Sequence, residues 1–313
     1  MHLFDLHCDT LYKAVNGKSS LNCSEYDVQI NPYDIFKTKL QCYAVWLSDE
    51  LSGEDAEKVF FKAAKLIKSE CARLNIPLIF PGEKIKESFY NNTYSAFFTV
   101  ENALALNGKL ENVEKFSQFG VRMMTLTWNA ENQIGGGADD EANSGLTKFG
   151  KDVIREMERC NMVVDISHAC DKLFYDVAQF AKKPFVASHS NSRTITNHRR
   201  NLTDEQFKLI VKNKGLVGLN FCKYFLNNDS DKASIDDILR HTEHFLSLGG
   251  EDVLCFGSDF DGCDLPNDIS SNENMCQIYE KFLRSNVKES IIRKIFYENA
   301  VNFFENFDNL RIM

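Results

Sequence analysis

Five apolar, β-rich runs of this chain stop on residue types that ligate metals, and they belong to a longer alternation of extended and helical patterns. The run Leu3–Leu6 stops on His7-Cys8-Asp9, and Ser95–Val100 stops on Glu101. Met162–Ile166 leads into Ser167-His168, Pro184–Ala187 into Ser188-His189, and Val253–Gly257 into Ser258-Asp259. Strands of one sheet that finish in this way can bring their last side chains together at one end of the sheet. Imidazoles and carboxylates meeting there suit hard or borderline divalent metals.

Apolar, β-branched or aromatic runs lie at about 3–7, 41–47, 95–101, 120–128, 162–168, 184–189, 215–221 and 253–259, which gives eight candidate strands. Segments with helical spacing lie between most of them. Glu54–Asn75 carries Val59, Phe60, Ala63, Ala64, Ile67 and Cys71 on one stripe. Leu146–Cys160 is a second. Thr203 with Gln206 three residues on reads as a capping box that opens a helix to about Lys214. Ser234–Leu248 begins at a serine cap and stops at Gly249-Gly250, and Lys288–Phe307 is a final amphipathic helix.

Strands alternating with helices imply a parallel sheet, and eight repeats favour closure into a (β/α)8 TIM barrel, an α/β fold whose active sites lie at the C-terminal strand ends. The competing architecture, a doubly wound open sheet, lacks a glycine-rich phosphate loop after strand 1. Gly135-Gly136-Gly137 does not have the dinucleotide spacing and reads as a flexible loop over the site. No internal repeat or linker divides the chain, so residues 1–313 are expected to form one barrel domain.

The formal net charge of −9 and the lack of a long basic run argue against nucleic acid as a partner. No apolar run approaches 18 residues, so no membrane span is expected. The N-terminal residues enter a strand pattern directly, without the charged and apolar regions of a signal peptide. The expectation is a soluble cytoplasmic protein whose ten cysteines are reduced thiols. In that compartment the N-x-S/T triplets at Asn22, Asn91 and Asn201 carry little meaning.

Among candidate ligands, His7 and Asp9 sit two apart and so share a strand face; the alternative for Asp9 is to cap a helix starting at Thr10-Leu11. Glu101, after Phe97-Phe98-Thr99-Val100, is either an exposed loop residue or a paired functional carboxylate that could bridge two ions. His168 and His189 have matching surroundings, and each would need an acceptor on its second ring nitrogen. Asp259 suits a general base if it is the last regular residue of its strand, and Asp261 before Gly262 reads as a turn former. His241-x-x-His244 reads as surface or packing, and the 25 phenylalanines as core.

Taken in order, these residues resemble the membrane (renal) dipeptidase family, peptidase family M19 of the amidohydrolase superfamily, in its bacterial-type cytoplasmic form. The motifs are Asp5-Leu6-His7-Cys8-Asp9-Thr10, Val100-Glu101, Asp165-Ile166-Ser167-His168, Ser188-His189-Ser190, His198-Arg199-Arg200-Asn201 and Gly257-Ser258-Asp259-Phe260-Asp261-Gly262. Each is weak alone, whereas the ordered set is specific and runs nearly the full length. The resemblance implies a (β/α)8 barrel and two zinc ions. His7 and Asp9 would hold one, His168 and His189 the other, and Glu101 would bridge them. Asp259 would take the proton of the attacking water and pass it to the leaving amine. Arg200 would bind the substrate's C-terminal carboxylate, and Tyr224 would stand near the substrate. Manganese, cobalt or iron also suit such a ligand set.

Two departures accompany the resemblance. Vertebrate members carry a histidine after the Leu-Thr of strand 4, where Trp128 follows Leu126-Thr127 here. Tryptophan offers one N–H and no charge, so substrate preference and oxyanion stabilisation differ at this point. Some bacterial-type members look similar there. The leader and lipid-anchor tail of vertebrate members are also expected to be absent, with Arg311-Ile312-Met313 as the last residues.

The leading expectation is a zinc dipeptidase that acts on small dipeptides, including those with a C-terminal D-residue. The alternatives are the same metal site acting on another amide, such as an N-acyl amino acid or a lactam, and a non-catalytic barrel. A homodimer is expected only from the frequency of such assemblies.

Overall fold

A computed structural model describes residues 1–17, 20–30 and 36–310. Eight strands form a closed barrel in sequence order: β1 (His2–Cys8), β2 (Thr38–Trp46), β3 (Tyr94–Glu101), β4 (Val121–Thr125), β5 (Val163–Asp165), β6 (Val186–Ala187), β7 (Leu216–Leu219) and β8 (Leu254–Phe256). Every neighbouring pair is parallel, and Asp5 of β1 pairs with Phe256 of β8 to close the ring. All eight expected strands are present. The expected segments Glu54–Asn75, Leu146–Cys160 and Ser234–Leu248 form the helices Gly53–Arg73, Lys148–Arg159 and Ile235–Ser247.

Local signals set these boundaries. The Thr203 hydroxyl accepts the backbone N–H of Gln206, whose side chain accepts in return, and together they open the helix Asp204–Lys212. Gly249, at φ +91°, ends the helix before it. The last helical segment departs from one regular helix. Glu289–Arg293 and Asn299–Asn309 are joined through a π-turn at Lys294–Glu298. The helices Glu111–Gln118, Asp171–Phe180 and Met275–Arg284 complete the outer ring beyond β3, β5 and β8.

Several strands, β5 and β8 among them, end earlier than the apolar runs do. β5 stops at Asp165, and Ser167-His168 belongs to a turn in which His168 has φ +68°. Asp259 is likewise not the last regular residue of β8. It lies three positions past Phe256, with φ +64°. Left-handed backbone is sparsely populated by residues other than glycine, and here it occurs at two candidate functional positions.

Gly135-Gly136-Gly137 is not a loose flap either. All three glycines are buried, and a β-carbon on Gly137 would overlap the carbonyls of Trp128 and Asn129. The glycines permit close packing that fixes the Trp128-Asn129 segment beneath them. At the bottom of the barrel, Arg122 of β4 is fully buried. It makes two parallel bonds, each 3.0 Å, to Asp308 of the last helix, and its guanidinium lies against the Phe97 and Phe304 rings. Arg311-Ile312-Met313 lie outside the described residues. No helix among the described residues is long and apolar enough to cross a membrane.

Candidate active site

The C-terminal strand ends gather six of the expected residues into one cluster. His7 Nε2 stands 3.4 Å from Asp9 Oδ2, 3.4 Å from Glu101 Oε2 and 3.7 Å from Asp259 Oδ1. The other Glu101 oxygen, Oε1, stands 2.8 Å from His168 Nε2 and 3.9 Å from His189 Nε2. Glu101 therefore presents one carboxylate oxygen to each half of the cluster. All six residues are buried. Asp9 makes no side-chain cap to the helix that follows it, so the capping alternative does not hold.

The arrangement suits metal on its own chemistry. His7 Nε2 and Asp9 Oδ1 are buried without a hydrogen-bond partner. His168 turns Nδ1 outward to Asn129 Oδ1 at 2.8 Å, and an amide oxygen can only accept. The ring proton therefore belongs on Nδ1, which leaves the Nε2 lone pair facing a carboxylate oxygen at 2.8 Å and His189 Nε2 at 2.9 Å. Converging lone pairs of this kind are reconciled by a cation. His7, Glu101 and His189, and also His7, Asp9 and Asp259, form groups whose ligand atoms lie within 4.8 Å of one another. A β-carbon on Gly262 would overlap Asp9 Oδ2 and crowd Asp259 Oδ1, so that glycine keeps room at the carboxylates.

Electrostatics follow burial. Burial and the nearby Asp9 charge raise Glu101 to about 7. Burial opposes a charged His7, yet the Asp9 and Glu101 carboxylates beside it outweigh burial and hold its pKa well above the usual value. Burial and the neighbouring cations Arg200 and His7 push His168 and His189 well below theirs, which keeps both imidazoles neutral and able to ligate. Burial also raises Asp259, although the His7 charge and a 3.0 Å bond from Asn220 Nδ2 to its Oδ2 work in the opposite direction. A carboxylate moved toward neutrality is a suitable proton acceptor.

A cavity of about 570 Å³ opens over this cluster, a size that fits a small ligand. Arg200 lines it and is 7% exposed. Its Nη2 makes one long bond, 3.5 Å, to the His189 carbonyl, and its Nε has no partner. A buried guanidinium with donors to spare is built for an anion. The Phe225 ring lies 5.4 Å from its centre. Trp128 also lines the cavity and stands edge-on to Trp46 at 4.9 Å, which is itself edge-on to Tyr12. Tyr224 lies at the rim, half exposed, with its hydroxyl on Asp264 at 3.0 Å.

Other residues have structural roles. Asp261 accepts bonds from Thr10, Lys13 and the Asp27 backbone, so it ties the segment after β1 to the loop after β8. His241 is buried and bonded on both ring nitrogens, and His244 bonds Asp204. His198 lines the cavity wall against Phe225. Sequence reasoning missed Asn129 and Asn220, which have no motif of their own, and Tyr12 and Trp46, which nothing in the pattern sets apart.

The family model for membrane dipeptidase, peptidase family M19, matches residues 1–311. The chain belongs to this family. A Klebsiella pneumoniae protein named only by its position in the pqqA 5′ region is 31% identical over 216 residues, which cover 66% of this chain and 80% of that protein. An uncharacterized dipeptidase of Schizosaccharomyces pombe is 35% identical over 184 residues. This match covers 56% of this chain and 44% of the yeast protein, so the chain spans under half of that relative's length. Among solved structures, a Rhodobacter sphaeroides metallopeptidase holding a phosphinate mimic of L-Ala-D-Ala superposes with a TM-score of 0.89. It covers 97% of this chain and 99% of that one, and at 24% identity the likeness is one of fold. The chain is thus a peptide hydrolase of a metallopeptidase family, built on a closed (β/α)8 barrel.

Proposed function

We propose that this M19 protein is a zinc-dependent dipeptidase. It would cleave small dipeptides with a free C-terminal carboxylate, including those that end in a D-residue. The observation that carries the reading is Glu101, whose two oxygens face separate ligand groups: His7 with Asp9 on one side, His168 with His189 on the other. These residues would hold two ions, with Glu101 shared. Bound ions would supply Lewis acidity, which polarises the scissile carbonyl and lowers the pKa of a water.

The chain's own groups do the rest. Asp259 takes a proton at its carboxylate, held in place by Asn220, and returns it to the departing amine. Arg200 grips the substrate's carboxylate from the side of the barrel that carries β6. The opposite wall, Tyr12, Trp46 and Trp128, receives the N-terminal residue and excludes water. Trp128 contributes an apolar face where vertebrate relatives carry a histidine. We further propose that the chain forms one barrel domain and works in the reducing cytoplasm. The reading of an N-acyl amino acid or lactam substrate rests on the same metal site and on Trp128.

Purified protein loaded with zinc should hydrolyse members of an L,L- and L,D-dipeptide panel faster than the matching dipeptide amides or N-acetyl amino acids. Arg200→Met should raise KM for free dipeptides about 10- to 100-fold, the loss of one charged hydrogen-bond pair, and erase the preference over amides. A dominant rate on N-acetyl amino acids would transfer the site to other amides. No turnover of any member would refute the proposal.

A further inference from the structure

The second ring nitrogens of His168 and His189 are held by different partners. For His189 the partner is a relay. His189 Nδ1 lies 2.7 Å from Ser188 Oγ, which lies 2.5 Å from Asp165 Oδ2. Asp165 is fully buried and also accepts Thr125 Oγ1 at 2.6 Å and the backbone N–H groups of Ser167 and Ser188 at 3.0 and 2.9 Å. Both of its oxygens are thus engaged as acceptors of these four hydrogen bonds. The Ser188 hydroxyl must therefore spend its own proton on Asp165, and its oxygen can only accept from His189. The ring proton is thereby placed on Nδ1, and Nε2 points its lone pair at Glu101.

The backbone reinforces this placement. Gly218 of β7 and Gly257 just past β8 both press against the Ser188 carbonyl, where a β-carbon on either would overlap its oxygen. Ser167 Oγ accepts the His189 backbone N–H at 3.0 Å. The ring is thus fixed by its main chain and by one hydroxyl.

We infer that Asp165 is a positioning residue, which acts through Ser188 to set the tautomer and direction of His189 and so the affinity of the metal position it shares with His168. The inference rests on the two-ion reading above. The molecule also carries its own control. On the opposite side of the barrel, Ser258 Oγ lies 2.5 Å from Asp5 Oδ2, and the Ser258 backbone N–H bonds Asp5 Oδ1 at 2.9 Å. The residue pair and the bond length are the same, but that hydroxyl contacts the His7 carbonyl and the Phe260 N–H instead of an imidazole. Removing either hydroxyl strips one donor from a buried aspartate, and only one removal touches a ring.

The test compares Ser188→Ala and Ser258→Ala with wild type. Nitrogen NMR of the histidine rings in zinc-free protein should find His189 protonated at Nδ1 and bare at Nε2 in wild type and in Ser258→Ala. In Ser188→Ala the proton should redistribute toward Nε2. Zinc titration against a chelator should show one of the two ions held about 10- to 100-fold more weakly in Ser188→Ala, the usual cost of losing an outer partner of a ligating imidazole. Ser258→Ala should retain the wild-type affinity for that ion. A wild-type His189 protonated at Nε2 would overturn the inference, and so would a Ser188→Ala protein that keeps both the tautomer and both affinities. Should Ser188→Ala fail to fold, the wild-type tautomer still decides. Wild-type protein that binds fewer than two zinc ions would refute the metal reading, separately from the ring measurement.

Discussion

Asp259 and Glu101 are both buried carboxylates within 4 Å of His7, yet they are held differently. Glu101 offers its two oxygens to imidazoles on both sides, whereas Asp259 has one oxygen on Asn220 and the other 3.7 Å from His7 alone among the imidazoles. On the proposed reading the first is the shared metal ligand and the second the proton acceptor. Asp259→Asn keeps size and shape but cannot take a proton. It should lower kcat about 10²- to 10⁴-fold while leaving zinc content near wild type, as measured by steady-state kinetics beside elemental analysis. Loss of zinc in step with activity would instead make Asp259 a ligand. The clustered residues themselves were legible in the sequence, because each follows an apolar run. The left-handed backbone at His168 and Asp259 was not, since propensity continues such runs as strand. Nor were the partners Asn129 and Asn220, or the part played by Asp165 of the Asp165-Ile166-Ser167-His168 motif, since these contacts form only once the barrel has set neighbouring strands side by side.

At the level of elements, two buried charged or titratable groups away from the site hold the barrel together. The fully buried Arg122 of β4 is neutralised by Asp308, which anchors the last helix across the barrel floor. Asp308→Asn would leave a buried guanidinium without its counter-charge and should destabilise the fold by about 3 to 5 kcal/mol in denaturant unfolding. The double change Arg122→Met with Asp308→Leu should recover most of that loss. His241, on Ile235–Ser247, accepts the Ser192 backbone N–H and donates to the Leu226 carbonyl, tying its helix to the loops after β6 and β7. Burial lowers its pKa to about 4. Because the folded value lies below the unfolded 6.5, the unfolded chain takes up the proton first. The stabilising contribution is complete above pH 6.5 and is lost as pH falls toward 4, up to about 3 kcal/mol. His241→Gln should flatten that part of the stability profile; an unchanged slope would mean that other groups carry the acid loss. Eight strands and the capped helices were readable from spacing and caps. The floor ion pair and the π-turn in the last helix were not, since each depends on contacts between β4, β8 and the chain's far end.

For the whole molecule, closing the sheet in sequence order brings strand ends that are separated by up to 250 positions onto one small surface. The bottom of the barrel carries stability, and the top carries polar groups whose mutual repulsion the fold tolerates because a cation can offset it. Folding and metal loading should therefore be coupled, with zinc at a thousandfold excess over its dissociation constant adding about 4 kcal/mol to the folded state. The family match makes a hydrolytic role plain, while the proposed number of ions rests on the Glu101 geometry. Anomalous diffraction from crystals of zinc-loaded protein tests that geometry directly. Two peaks flanking the Glu101 carboxylate, one beside His7 and Asp9 and one beside His168 and His189, are expected. A single peak, or zinc bound away from Glu101, would contradict the two-ion account.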